Sequence, residues 1–140
     1  MPSVPKVSVV IPTYNYAHIL DVTIQSVLDQ TFTDFELIIV DNCSKDNTVE
    51  VVQKYLTDPR VSFYRNSSNM GLTGNWNRCL ELAKGEYIKY LCADDKFHPQ
   101  ILERYIPIMD DNPNVSIISC FRQEFDGNGL KNKIAYPPIL

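Results

Sequence analysis

Short β-branched runs separated by helix-length amphipathic segments limit what this chain can fold into. Lys6 to Ile11 (KVSVVI) closes at Pro12, and Phe35 to Val40 (FELIIV) closes at a polar cluster from Asp41 to Thr48. Runs so continuously apolar suit strands buried on both faces, as in a parallel sheet covered by helices. Val61 to Arg65, Glu86 to Leu91 and Val115 to Cys120 are predicted third, fourth and fifth strands. Between them, Leu20, Ile24, Val27 and Leu28 recur at helical spacing, with Asp21, Gln25 and Asp29 on the other face. Val49, Val52 and Leu56 mark a second helix, with Ser44, Asp46 or Asn47 as candidate caps. Leu72, Trp76, Cys79, Leu80 and Ala83 form the stripe of a third helix ending at Gly85. Pro99 suits the start of a fourth, whose apolar face is Leu102, Tyr105, Ile106 and Met109 despite Pro107. This alternation predicts an α/β fold with a mainly parallel sheet and right-handed crossovers.

At 140 residues and 44% hydrophobic, the chain is predicted to form a single domain over 1–140. The tail from Gln123 offers a turn at Asp126-Gly127-Asn128-Gly129 and then no recognisable element before Leu140, so the fold is expected to be truncated at its C-terminus. A net charge of −4 argues against a nucleic-acid partner, because such binding draws on clustered Lys and Arg. No apolar run approaches the roughly 20 residues that span a bilayer, and Met1 to Lys6 does not resemble a signal peptide. A cytoplasmic location without a transmembrane segment is therefore expected. Cys43, Cys79, Cys92 and Cys120 are widely spaced with no C-x-x-C pair, which predicts reduced thiols in or near the core. His18 and His98 stand alone and receive no role.

In open α/β sheets ligands bind beyond the carboxyl ends of the strands, so the polar loops after strands one, two and four are the places to look. Asp94-Asp95 follows strand four. Adjacent carboxylates repel unless a cation or hydrogen bonds compensate them, and Mg²⁺ or Mn²⁺ suits their oxygens and could bridge one of them to a diphosphate. The plainer alternative is a pair of turn or cap residues before the helix at Pro99. Tyr14, after strand one, offers a ring to stack on a nucleotide base. Asp41 and Asn42, after strand two, could hydrogen-bond a base edge or ribose, or merely form a turn. The convergence of the three loops favours a nucleotide site. The five glycines match neither G-x-G-x-x-G nor G-x-x-x-x-G-K-[ST], which argues against dinucleotide and P-loop enzymes and leaves a metal as the natural partner of the phosphates.

Val7 to Asn15 (VSVVIPTYN), Gln30 to Asp41 (QTFTDFELIIVD), Asn69-x-Gly71, Asn77 and Ala83 to Ile88 (AKGEYI), leading to Asp94-Asp95, resemble the family 2 glycosyltransferases over Lys6 to Cys120. The resemblance implies a GT-A fold, a Rossmann-like α/β/α sandwich. It implies that Pro12, Thr13 and Tyr14 border the base, that Asp94 approaches the ribose, and that Asp95 holds the metal on the diphosphate. Three positions depart from the family's usual pattern: Asn42 where a second Asp is common, Cys92 where many members carry Asp, and Trp76 where many carry Arg. Trp76 lies on the third helical stripe and is expected in the core.

The implied reaction is inverting transfer of a sugar from a nucleotide-diphosphate donor to a saccharide or lipid-linked acceptor, in polysaccharide and cell-envelope biosynthesis, inside the cell or at the inner face of its membrane. This chain is expected to hold mainly the donor side. Asp110, Asp111 and Asp126 fall in a helix end and a turn, and no residue is credited as the general base. The rival from another class is a non-catalytic nucleotide-sugar-binding or interaction module with a degenerate site.

Overall fold

The computed structural model describes residues 4–120, 122–126 and 128–135. The chain divides into two compact units, Met1–Glu103 and Arg104–Leu140. The first contains strands β1 (Val7–Thr13), β2 (Phe35–Asp41), β3 (Val61–Arg65) and β4 (Tyr87–Tyr90), and helices α1 (Ala17–Leu28), α2 (Thr48–Gln53) and α3 (Gly71–Leu82). Helix α4 (Ile101–Asp111) begins in this unit and ends in the second.

The four strands form one parallel sheet in the order β3-β2-β1-β4. The chain therefore steps outward from β1 to β3 and then crosses to the other side of β1. With right-handed crossovers, that reversal puts α1 and α2 on one face of the sheet and α3 on the other. Val10, Ile38 and Val40 form a core cluster with Cys79 of α3, and Leu82, Ala83 and Tyr90 pack against it. Strand alternation turns Val9, Ile11, Leu37 and Ile39 to the opposite face, and all four are buried. Helix α1 buries Leu20, Ile24 and Val27, the predicted stripe. Its neighbour α2 is tied to it through Asp21, which accepts hydrogen bonds from Lys54 Nζ at 3.1 Å and Tyr55 Oη at 3.0 Å.

Strand β1 continues through Pro12 rather than closing before it. Thr13 accepts from Asn42 N on the β2 side, whereas Val10 accepts from Leu91 N on the β4 side. Alternation therefore turns Pro12 to the β4 side, where pairing has already ended at Val10 opposite Tyr90. The missing N–H costs no ladder bond there.

At the opposite end of the sheet Ser8 Oγ donates to Glu36 Oε1 at 2.6 Å and accepts from Gly85 N at 2.8 Å. A Cβ on Gly85 would sit 2.5 Å from Ser8 N, so the helix-to-strand turn passes too close to β1 for any side chain.

Three expectations for the helices of this unit change. The buried face of α3 is Asn75 and Cys79, while Leu72 and Leu80 are exposed, because an asparagine inside its own hydrogen-bond network can occupy a core position that apolar periodicity reserves for leucine. Trp76 is half-buried and stacks on Tyr90, ring centroids 4.6 Å apart. Leu56 lies in the turn beyond α2 and is exposed.

In the second unit, residues 115–120 form no strand, although one is predicted there; β-branched residues favour extended chain, but a strand also needs a partner for its backbone groups. The sheet of this unit is instead an antiparallel hairpin of β5 (Arg122–Asp126) and β6 (Gly129–Ala135), with a register irregularity between Gln123 and Phe125. Asn128 N donates to Asp126 Oδ1 at 2.9 Å and Gly129 takes φ +113°, so the expected turn is present at its described residues, while Gly127 lies outside them. Cys79 is buried, Cys43 and Cys92 are half-buried and Cys120 is exposed, so Cys120 departs from the core placement expected for the thiols.

Candidate functional site

Because all four strands run the same way, the loops after β1, β2 and β4 leave one edge of the sheet. Strand β1 stands between β2 and β4, so this edge is where the connections diverge to opposite sides, the place where such sheets open a crevice.

The first two loops are stitched together. Asn42 N donates to Thr13 O at 2.9 Å, Asn15 N to Ser44 Oγ at 2.8 Å and Lys45 N to Asn15 Oδ1 at 2.8 Å. Ala17 N, at the start of α1, donates to Asp46 Oδ2 at 3.0 Å. Asn15 and Cys43 take positive φ, +60° and +65°, a region that asparagine tolerates better than most residues. Asp46 also accepts from Thr48 N and Thr48 Oγ1, so of the candidate caps for α2 it is Asp46 that bonds the first turn. Burial opposes ionisation of Asp46, but the Thr48 hydroxyl and the backbone N–H groups of Ala17, Thr48 and Asp46 itself hold its carboxyl below the ordinary value.

Asp41 and Asn42 are both buried. Asp41 Oδ1 accepts from Ser44 N at 3.0 Å and from Ser44 Oγ, while Oδ2 lies 3.2 Å from Arg65 Nε as an ion pair lacking hydrogen-bond alignment. Asn42 Nδ2 donates to Asn69 Oδ1 and Gly71 O, and its Oδ1 accepts from Met70 N and Asn66 Nδ2. Both donors and both lone pairs of that amide are engaged within the chain. Asn66 also bonds Asn75, whose Nδ2 reaches Val40 O at 3.1 Å, so an asparagine network joins the ends of β2 and β3 to the start of α3.

Pro12 and Thr13 are buried at the end of β1, and Thr13 Oγ1 has no hydrogen-bond partner among the described residues. Tyr14 follows, 38% exposed, so its ring is open to a ligand.

After β4 the chain turns through Asp94 and Asp95, with Asp95 N donating to Cys92 O at 3.0 Å. Cys92 Sγ and one carboxylate oxygen from each of Asp94 and Asp95 lie within 4.8 Å of one another, both aspartates being exposed. Burial, followed by the charges of Asp95 and Asp94, pushes the Cys92 thiol above its usual range, so it is protonated at neutral pH. The two carboxylates supply hard oxygen donors, which fit Mg²⁺ or Mn²⁺.

The structure thus brings Asp94 and Asp95 together and fixes Pro12, Thr13 and Asp41 at the ends of β1 and β2, with Tyr14 and Asn42 just beyond them, on the same sheet edge. Asn15, Ser44 and Asp46, which bind the first two loops to each other, escape a reading of ligand-facing chemistry. Their signal is only the Asn/Ser/Asp richness of the loops themselves.

Residues 8–137 match the model of the family described as glycosyl transferase family 2. The chain is 37% identical over 134 residues to the poly(ribitol-phosphate) β-N-acetylglucosaminyltransferase TarP of Staphylococcus aureus, covering 92% of this chain and 40% of that protein. It is 33% identical over 131 residues to the Escherichia coli UDP-Glc:α-D-GlcNAc-diphosphoundecaprenol β-1,3-glucosyltransferase WfgD, covering 94% of this chain and 51% of WfgD. It therefore spans about half or less of the length of these relatives. The crystal structure of S. aureus TarS 1–349 in complex with UDP-GlcNAc superposes with a TM-score of 0.73 at 29% identity, over 77% of this chain and 32% of that one. The mannosyltransferase PcManGT of Pyrobaculum calidifontis, in complex with GDP-Man and Mn²⁺, superposes at 0.62 and 26% identity over 69% and 29% of the two chains. With its parallel α/β sheet and this match along nearly its whole length, the chain belongs to glycosyl transferase family 2 and has the GT-A fold.

Proposed function

We propose that this chain is the donor-binding portion of a metal-dependent, inverting glycosyltransferase. The observation that carries the reading is the cluster at Asp94 and Asp95, whose carboxylates converge at the sheet edge where the β1 and β4 loops emerge. In this reading the base lies against Pro12, Thr13 and Tyr14, with the Tyr14 ring stacked on it. Asp41 and Asn42 form the wall on the β2 side, kept in shape by their internal bonds. Asp94 approaches the ribose. Asp95 is the principal ligand of Mg²⁺ or Mn²⁺, a cation that supplies positive charge against the diphosphate when bound. PcManGT, whose structure holds GDP-Man and Mn²⁺, supports that pairing of donor and metal.

The acceptor is a saccharide or a lipid-linked molecule, a reading supported by the lipid-linked sugar in the name of WfgD and the poly(ribitol-phosphate) in that of TarP, and the product belongs to a cell-envelope polysaccharide. Among the described residues no helix is long and apolar enough to cross a membrane. Action in the cytoplasm at the inner face of the membrane fits an acceptor anchored there. The base that deprotonates the acceptor hydroxyl is assigned to no residue of this chain.

A thermal-unfolding screen of UDP, dTDP and GDP sugars, each with and without Mn²⁺, tests the reading. A ligand at 100 times its Kd stabilises the fold that binds it by about 2.7 kcal/mol. One nucleotide class should raise the melting temperature only when Mn²⁺ is present. Stabilisation indifferent to metal, or none by any donor, would overturn it.

A further inference from the structure

Helix α1 carries polar residues where an amphipathic helix packed on a sheet would ordinarily place apolar ones. Thr23 is fully buried in mid-helix, Ser26 follows it by three residues, and Gln30 is buried just beyond the helix end. Threonine and serine are indifferent helix formers, and a buried hydroxyl or amide without a partner would be costly. All three find partners in one remote segment. Thr23 Oγ1 donates to Ala93 O at 2.8 Å. Ser26 Oγ accepts from Phe97 N at 3.0 Å and donates to Thr23 O at 2.8 Å, which links the two hydroxyls through the helix backbone. Gln30 Nε2 donates to His98 O at 2.9 Å, and its Oε1 accepts from Leu102 N at 3.3 Å.

The order of these bonds is informative. The anchors at Ala93 and Phe97 bracket Asp94 and Asp95 from both sides, and those at His98 and Leu102 secure the chain beyond. The two carboxylates are themselves exposed. Two like charges at a solvated turn move apart unless the backbone beneath them is held. The anchoring bonds are buried or partly buried, so water competes poorly for them.

We propose that Thr23, Ser26 and Gln30 are positioning residues for the metal-binding turn, clamping residues 93–102 to α1 so that Asp94 and Asp95 meet the cation in one fixed geometry. The proposal rests on the assignment of those aspartates to a divalent cation. None of the three residues touches ligand; they act as an outer shell, whose loss in metal sites commonly costs 10- to 100-fold in affinity.

The test compares Thr23→Val, which keeps the shape and removes the hydroxyl, with Thr23→Ser, which restores the hydroxyl. Ser26→Ala provides an independent break, and Ser8→Ala removes a buried hydroxyl at the opposite end of the sheet. Two quantities are read: Mn²⁺ affinity by electron paramagnetic resonance in the presence of UDP, and hydrogen exchange of the Asp95 and Phe97 amides in metal-free protein. Thr23→Val and Ser26→Ala should weaken Mn²⁺ by about tenfold and speed exchange at those amides, with β1 still protected. Thr23→Ser and Ser8→Ala should stay within about twofold of the parent on both measures. Unchanged exchange and Mn²⁺ affinity in both Thr23→Val and Ser26→Ala would overturn the clamp, as would an equal loss in Ser8→Ala. Faster exchange in the two variants, with no Mn²⁺ bound even by the parent, would locate the failure in the metal assignment instead, and the positioning role would fall with it.

Discussion

Asp46, from the loop after β2, accepts the backbone N–H of Ala17 at the start of α1, 3.0 Å away, while its other oxygen bonds Thr48 at the start of α2. One carboxylate thus caps two helices that follow different strands. Asp46→Ala should lower unfolding free energy by about 1–2 kcal/mol, the ordinary cost of losing a side-chain cap. Because the folded-state pKa lies below the ordinary 3.8, this stabilisation is present above about pH 4 and is lost as pH falls through the folded value. In urea melts the difference between parent and variant should be full at pH 7 and shrink progressively as the pH is lowered from about 4 through the folded value.

Asp95→Asn should abolish Mn²⁺-dependent binding of a nucleoside diphosphate, and Asp94→Asn should weaken it less, because the first removes the proposed principal ligand. Both side chains are exposed, so neither change should disturb folding. Calorimetric titration with UDP, with and without Mn²⁺, decides the matter; unchanged metal-dependent affinity in Asp95→Asn would reduce the pair to an ordinary turn.

Tyr14→Ala should weaken nucleotide binding by about 1–3 kcal/mol, the range found when an aromatic that stacks on a base is removed. With 38% of its surface exposed, Tyr14 contributes little to the core, and the melting temperature should hold. Parent-like affinity in a normally folded variant would put the ring outside the site.

Asn42→Asp should destabilise the fold by about 1–3 kcal/mol, the cost of leaving buried polar groups unsatisfied. The new carboxylate would face Asn69 Oδ1 and Gly71 O, both acceptors now served by the Asn42 amide. A melting temperature equal to the parent's would show that the asparagine network reorganises freely.

Gly85→Ala should be the most damaging small substitution at the far end of the sheet. The added methyl would meet backbone atoms of Val7 and Ser8 rather than a yielding side-chain tip, and overpacking of that kind costs about 1–3 kcal/mol or more. The midpoint of chemical denaturation reads it directly.

The parallel core was legible in the sequence because β1 and β2 are apolar on both faces, a pattern few other structures tolerate. The position of Asp94-Asp95 in a turn beyond the fourth strand was legible from the run that precedes it, and their clustering follows from their adjacency. The hairpin of β5 and β6 was not, since Arg122 to Asp126 offers only Phe125 as an apolar residue and its strand character comes from pairing. The buried face of α3 was misread because Asn75 is inside through hydrogen bonds that no periodicity records. The same blindness hid the partners of Asn42, whose amide reads as ligand-binding in one dimension and as an internal brace in three. What escapes a linear reading here is largely polar: where a hydrogen-bonding group finds its partner depends on residues as far as 72 positions away.

Pro12 has a consequence for the shape of the sheet edge. A strand at the centre of a sheet invites its neighbour to keep zipping alongside it, and each added rung would carry the β4 chain about 3.3 Å further along β1. An imino acid turned toward that neighbour keeps its carbonyl but has no N–H to donate, and the pairing ends at Val10 and Tyr90. The Cys92 to Asp95 segment is thereby released from the plane of the sheet and free to follow α1. A single ring closure in one residue separates a strand from the loop that carries Asp94 and Asp95.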